Sequence, residues 1–333
     1  MLLVVVVLPA CNLLPQSQLP SAFPTEQLLP SISPSPLPSP TPTPSPSPVP
    51  ARPSETPLVE LPTPVPSETP APLFLRFAVI GDYGSGKDAE GDVAALVKSW
   101  DPEIIITTGD NNYPAGKAGT IDKNIGQFFH EFIAPYTGSY GEGAQENRFF
   151  PSLGNHDWAT AGAEPYLEYF ELPGNERYYD FTWGPIHFFA LDSDSNEPDG
   201  VGRSSQQAAW FQSQIASSTS PWKVVFFHHA PYSSGLHGPV DWMQWPFDEW
   251  GADIVFSGHD HTYERISRDG VIYFVNGLGG RSRYDLFEPV EGSQVRYNAD
   301  YGAMLVEASE QKVLLKFINR QNEVIDTYQL EQK

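Results

Sequence analysis

The sequence predicts an α/β domain built from two packed sheets with helices outside, preceded by an unstructured proline-rich stalk. Three observations carry that prediction. From Leu73 to about Ser257, apolar β-branched runs alternate with helical periodicity, the pattern of βαβ units. After Gly270 the helical pattern stops, and Val271–Val275, Met304–Glu307, Val313–Ile318 and Val324–Tyr328 read as antiparallel strands. Before Leu73 lie 21 of the chain's 34 prolines, in runs such as Ser33-Pro34-Ser35-Pro36. Alternate residues there lack an amide donor, so helix and sheet are both closed to them. The expected division is a signal at 1–11, a linker at 12–72 and one catalytic domain at 73–333. In polyproline II, at ~3.1 Å per residue, the linker would reach on the order of 180 Å.

Taken in order, Phe74 to Ile80 is a strand closed by Gly81-Asp82, and Glu90 to Trp100 is a helix. Ile104 to Thr108 has the apolar, β-branched character of a buried parallel strand, and Gly109-Asp110 breaks it. Asn124 to Phe132 reads as helix, and Phe149 to Leu153 as a strand stopping at Gly154-Asn155-His156-Asp157. Ile186 to Leu191 is the next strand, followed by a helix from about Ser204 to Ala216. Trp222 to Phe227 runs into His228-His229, and Ile254 to Ser257 into Gly258-His259. No internal repeat and no linker-like break interrupts the domain, which is long enough for a substantial core.

The formal net charge is −22, and residues 73–333 carry 18 basic against 37 acidic side chains. A basic nucleic-acid footprint is therefore missing. Polyanionic partners are disfavoured unless a local positive site receives them. The single cysteine, Cys11, leaves no internal disulfide and no thiolate metal or redox site in the domain. Met1 to Leu8 is apolar and leads into Pro9-Ala10-Cys11, which resembles a bacterial lipoprotein signal cut before a lipid-bearing cysteine. A secretory signal with an incidental cysteine is the competing reading. The expectation is an extracytoplasmic domain, anchored through Cys11 or otherwise secreted, with no other membrane attachment.

Five strand ends in succession close with metal-capable side chains: Asp82, Asp110 with Tyr113, Asn155, His228 or His229, and His259 with His261. Each alone is ordinary turn or cap chemistry. Together they set seven donors at one edge of a sheet, where open α/β folds place their ligands. Carboxylate, phenolate, amide and imidazole without thiolate suit Fe, Zn or Mn. In extended chain His259 and His261 point to the same side and can reach adjacent ions. Two ions sharing a carboxylate form a clamp suited to in-line displacement at phosphorus.

The blocks Asp82-Tyr83-Gly84, Gly109-Asp110-x-x-Tyr113, Gly154-Asn155-His156-Asp157, His229-x-Pro231 and Gly258-His259-x-His261 resemble those of the metallophosphoesterases, in the same order. The resemblance covers about residues 75 to 265 and implies a four-layer α/β/β/α sandwich of two mixed sheets. Most of that superfamily has Asp-x-His in the first block; here the third position is Gly84, and Tyr113 supplies the missing ligand. That exchange resembles the purple acid phosphatases, with Gly109 to Tyr113 similar to the tartrate-resistant type. The run from Gly258 to Arg265 is similar to the closing block of the plant enzymes.

Carried over, the resemblance implies Fe(III) held by Asp82, Asp110, Tyr113 and His261. A second ion (Fe, Zn or Mn) would be held by Asp110, Asn155, His229 and His259, with Asp110 bridging. His229 fits the His-x-Pro spacing, and His228 stays its rival. His156 and His237 are the candidates for orienting phosphate and protonating the leaving alkoxide, with Asp157 holding His156. Trp242, Trp245 and Trp250 suit packing more than a substrate cleft, and Tyr232 is a weaker candidate for touching substrate. The implied activity is acid phosphatase-like hydrolysis of phosphomonoesters by a metal-bound hydroxide, on small-molecule or phosphoprotein substrates. The alternatives are a phosphodiesterase or nucleotidase on the same site, and a non-catalytic surface binding module.

Overall fold

The computed structural model describes residues 75–332. The signal at 1–11 and the linker at 12–72 lie outside the described residues. Thirteen strands run in chain order as β1 (Leu75–Ile80), β2 (Ile104–Thr107), β3 (Phe149–Pro151), β4 (Tyr179–Trp183), β5 (Ile186–Ala190), β6 (Trp222–His229) and β7 (Ile254–Gly258). They continue as β8 (Tyr263–Arg268), β9 (Val271–Asn276), β10 (Ser293–Tyr297), β11 (Gly302–Ala308), β12 (Lys312–Asn319) and β13 (Val324–Glu331). They form a six-stranded sheet, β13-β12-β11-β1-β2-β3, and a seven-stranded sheet, β10-β8-β9-β7-β6-β5-β4.

Both sheets are mixed. β1, β2 and β3 pair in parallel, while β11 to β13 add an antiparallel meander to β1. In the second sheet β5, β6, β7 and β9 are parallel, while β4 is antiparallel to β5, β8 to β9 and β10 to β8. The strands around the site are apolar on both faces because both faces are covered. Along β5 to β7, Phe188, Val224, Phe226, Ile254 and Phe256 enter the inter-sheet core. Their neighbours Phe189, Val225, Phe227 and Val255 pack on the other face with Phe211 of the helix Gln206–Ser217. Phe77 of β1 meets Phe188 of β5 edge to face at 5.2 Å, so the sheets face one another. Each fully buried ring of this kind contributes about 1.5–3 kcal/mol.

Three strands escape the sequence pattern, for two reasons. β4 and β10 are sheet edges, half exposed, and edge strands carry little apolar alternation. β8 is spelled Tyr-Glu-Arg-Ile-Ser-Arg, a polar run in which Glu264 is buried against Ser234 and Ser293, and Arg265 against Asp326. The run at 271–275, expected to be antiparallel with the later strands, is instead β9. It lies in the other sheet, parallel to β7 and antiparallel to β8. The helix expected at 124–132 begins earlier, at Ala118, and contains a π turn at Asp122–Gly126.

Candidate metal centre

The chain turns sharply where β1 and β2 end, and two carboxylates sit on the turns. Asp82 has φ 53° and Asp110 φ 54°, a left-handed backbone that aspartate tolerates better than most residues. His259, after β7, has φ 68°. Three non-glycine residues in this region at one site are a local cost that the surrounding packing has to hold in place.

Asp82, Tyr113 and His261 form one donor cluster. The Tyr113 hydroxyl donates to Asp82 Oδ1 at 3.3 Å and lies 3.1 Å from His261 Nε2, which is itself 3.3 Å from Asp82 Oδ1. The other Asp82 oxygen accepts the His259 amide at 3.0 Å. His261 is oriented from behind: its Nδ1 is 2.6 Å from Ser282 Oγ, and its ring stacks on Tyr284 at 4.1 Å. The absence of a histidine at position 84 has a steric cause. A Cβ on Gly84 would stand 1.7 Å from the Asn111 carbonyl oxygen. The loop carrying Tyr113 fills that space, and the Tyr113 amide donates to the Gly84 carbonyl at 2.7 Å.

Asp110, Asn155, His228 and His259 form the second cluster. His228 Nδ1 lies 2.8 Å from the Thr108 carbonyl oxygen. A carbonyl can only accept, so Nδ1 carries the proton and Nε2 presents a lone pair. That Nε2 is 3.0 Å from Asn155 Oδ1, 3.1 Å from His259 Nδ1 and 3.4 Å from Asp110 Oδ1. Lone pairs facing one another at such distances are favourable only around a cation, a proton or a metal ion. Burial works against charge on His228, but Asp110 and then Asp82 outweigh it and raise its pKa. His259 is pushed down strongly, by burial first and then by His228, so it stays neutral and able to ligate. Burial, then Asp110 and Asp82, hold the Tyr113 hydroxyl well above its ordinary pKa, so a phenolate there requires an adjacent cation. The residues present fit a metal. Donor atoms of Asp82, Asp110 and His228 lie within 4.8 Å of one another, as do those of His228, His229 and His259.

Both members of the histidine pair therefore reach the site, but His228 holds the inner position for which spacing favoured His229. Val224 and Phe226 face the inter-sheet core, and His228 continues that face to its open end. A register shift between Phe226 and His229 accommodates the extra residue. His229 turns its Nδ1 to Ser193 Oγ at 2.9 Å, with its ring 4.4 Å from His259. Burial and His228 lower its pKa to about 3. The two histidines of the closing block diverge through the left-handed turn at His259, not through extended chain. The strand ends belong to two facing sheets, not to one edge.

His156 and His237 lie at the mouth. His156 Nδ1 is 2.6 Å from the Pro114 carbonyl, its Nε2 is 3.8 Å from Asp110 Oδ2, and its ring lies 4.3 Å from that of Tyr113. His237 stacks on His259 at 4.1 Å. Between them is a cavity of about 110 Å³, also lined by Asp110, Asn155, His261 and Tyr284.

Asp157 does not hold His156. It is buried beneath the site, where Oδ2 accepts from the Gly154 amide at 2.9 Å and the Asn111 side chain at 2.8 Å. The Pro114 carbonyl takes the role expected of it. Tyr232 also faces elsewhere, packing against Arg268 and Tyr273. Trp245 is buried and Trp250 partly so, while Trp242 stands 43% exposed with its ring 5.9 Å from His229.

Several positioning residues escaped the sequence reading. Asn111 ties Thr107, Tyr83, Ser152 and Asp157 into one buried network beside Asp110. Asp260, between the two closing histidines, accepts the His237 and Gly238 amides at 2.7 and 3.2 Å and so shapes that loop. Glu264 holds the same loop through the Ser234 amide at 2.7 Å. The only signal for Asp260 and Glu264 was a carboxylate inside a ligand block, and for Asn111 an amide beside Asp110.

A family model for calcineurin-like phosphoesterases matches residues 75–263. Purple acid phosphatase 15 of Arabidopsis thaliana is 29% identical over 249 residues, covering 62% of this chain and 45% of that protein. Purple acid phosphatase 17 of the same plant is 26% identical over 253 residues, 64% of this chain and 71% of that protein. For most of the leading curated relatives the chain spans about half their length. Among solved structures, a purple acid phosphatase from yellow lupin seeds shares the fold with a TM-score of 0.64 at 19% identity, over 78% of this chain and 54% of that one. GAP50, described as the anchor in the inner membrane complex of Plasmodium, does so with a TM-score of 0.61 at 22% identity, over 78% and 89%.

Proposed function

The chain belongs to the calcineurin-like phosphoesterase family, and from that premise we propose that it is a binuclear metal-dependent phosphomonoesterase of the purple acid phosphatase kind. One observation carries the reading: donor atoms of Asp110 lie within 4.8 Å of those of Asp82 and His228, so one carboxylate can serve both donor clusters, and the Thr108 carbonyl fixes the His228 tautomer. Asp82, Asp110, Tyr113 and His261 would hold one ion. Asp110, Asn155, His228 and His259 would hold the other, with His228 preferred over His229 on the distances above. Hard oxygen donors and a phenolate suit Fe(III) in the first position, and Fe, Zn or Mn in the second. The name of a relative, Fe(3+)-Zn(2+) purple acid phosphatase 12, supports that choice at 24% identity. When bound, such a pair supplies Lewis-acid stabilisation of phosphoryl oxygens and an activated water.

The chain's own residues do the rest. The His156 amide donates to Asp110 Oδ1 at 2.9 Å and so restrains the carboxylate that would be shared by the two ions. With Nδ1–H given to Pro114, His156 presents Nε2 to the cavity, where its protonated form donates to a phosphoryl oxygen. His237, across the cavity, is the proton donor to the departing alkoxide.

Release of nitrophenol from p-nitrophenyl phosphate and from bis(p-nitrophenyl) phosphate, after metal reconstitution of the full chain, tests this reading. The monoester should turn over faster, and Asp110→Asn should lose about 10³-fold or more. Faster diester turnover would favour the phosphodiesterase alternative; no turnover of either would end the proposal. The Cys11 block and the proline run further support a lipid-anchored, extracytoplasmic domain. Cys11→Ser should then release the protein from membranes, and continued membrane retention would reject the anchor.

A further inference from the structure

The metal centre has a second cavity beside it, of about 240 Å³, lined by Ser85, Lys87, Tyr113, Pro114 and Arg281. Tyr113 and Pro114 connect it to the site: the phenol oxygen belongs to the first donor cluster, and the Pro114 carbonyl lies 2.6 Å from His156 Nδ1. Arg281 lays its guanidinium over the Tyr113 ring, 4.9 Å from the centroid, and its amide donates to the Asp82 carbonyl at 3.1 Å. Among the described residues, neither Arg281 nor Lys87 has a carboxylate partner or a side-chain hydrogen bond. In a chain of net charge −22, a half-buried arginine and an exposed lysine, both without a carboxylate partner, line one cavity at the edge of the site and can receive an anionic ligand. A planar guanidinium fixed on an aromatic face suits a carboxylate or a phosphate group, and Lys87 adds a point charge.

We propose that this cavity is a subsite for a second anionic group of the substrate, a carboxylate or a further phosphate carried on the leaving group across Tyr113. The inference rests on the phosphomonoesterase reading and narrows its substrate class to doubly anionic organic phosphates. On general charge such substrates would be repelled; the subsite reverses that locally.

Two matched pairs test it by phosphate release. One is 2-phosphoglycerate against glycerol 2-phosphate, which differ by a carboxylate. The other is fructose 1,6-bisphosphate against fructose 6-phosphate, which differ by a phosphate. The wild type should favour the doubly anionic member of at least one pair in kcat/KM. Arg281→Ala and Lys87→Glu should each cut that preference about tenfold, and added salt should weaken it. Lys87 touches no proposed ligand, so its variant separates the subsite from any disturbance of Tyr113. The pair that shows the preference identifies the second group. Hydrolysis of all four compounds without preference, or a preference surviving both substitutions, overturns the subsite and leaves the phosphomonoesterase intact. Failure to hydrolyse any of the four overturns the subsite, and overturns the phosphomonoesterase as well if p-nitrophenyl phosphate is also left intact.

Discussion

Gly109 decides where His228 can stand. Its φ is 87°, and a Cβ there would lie 2.8 Å from His228 Nδ1, inside contact distance. Gly109→Ala should therefore push the ring off the Thr108 carbonyl and turn Nε2 away from Asn155. Losing such a supporting contact typically costs 10–100-fold in metal affinity or activity, so activity should fall by about that much. Metal titration of the variant checks it, and unchanged affinity would remove His228 from the ligand set. At this scale the sequence was most legible where residue type alone specifies chemistry. Asp82, Asp110, Tyr113, Asn155, His259 and His261 were all readable as strand-end donors. The choice between His228 and His229 was not, because the His-x-Pro spacing and the alternation that turns Val224 and Phe226 inward point to different members of the pair. The support from Pro114 and Thr108 comes from backbone carbonyls, which every residue has.

One element brings Lys87 to the edge of the site: the turn before the helix Asp88–Ser99. Glu90, buried in the first turn of that helix, accepts the Gly86 and Ser85 amides at 2.6 and 2.8 Å, and its other oxygen has no partner. Burial outweighs those hydrogen bonds and holds its carboxyl well above the usual range. The folded chain thus keeps a proton that the unfolded chain releases above about pH 4.3. Stability tied to that proton is full below this pH and is lost as pH rises through the folded pKa. Glu90→Gln keeps the acceptor and removes the titration. Between pH 4 and pH 7 the urea midpoint of the wild type should fall relative to that of the variant; parallel profiles would refute the assignment. Helix and strand identity were legible where periodicity was strong, as for this helix and for β2. It was lost where local pattern and pairing part company, as in β8, whose polar residues are buried by partners distant in sequence.

For the whole molecule, the pairing of two sheets is the feature local pattern could not give. The expected βαβ units and meander are present, but β9 joins the sheet of β7, and the site forms where two sets of strand ends meet. A buried pair helps fix that meeting: Arg265 of β8 donates to Asp326 of β13 at 2.7 Å, and the Tyr263 hydroxyl donates to the same carboxylate oxygen at 2.7 Å. Asp326→Ala leaves the guanidinium buried without its partner and should cost about 3 kcal/mol in denaturant unfolding. An unchanged midpoint would mean that the sheets are held by apolar packing alone. The most direct test of the account is the metal stoichiometry of the purified full chain after reconstitution, read beside its visible spectrum. Two ions per chain are expected, with a phenolate-to-Fe(III) band that vanishes in Tyr113→Phe and both sites emptied or halved in Asp110→Asn. A chain that binds no metal, or binds it equally well without the Asp110 carboxylate, would contradict the binuclear site itself.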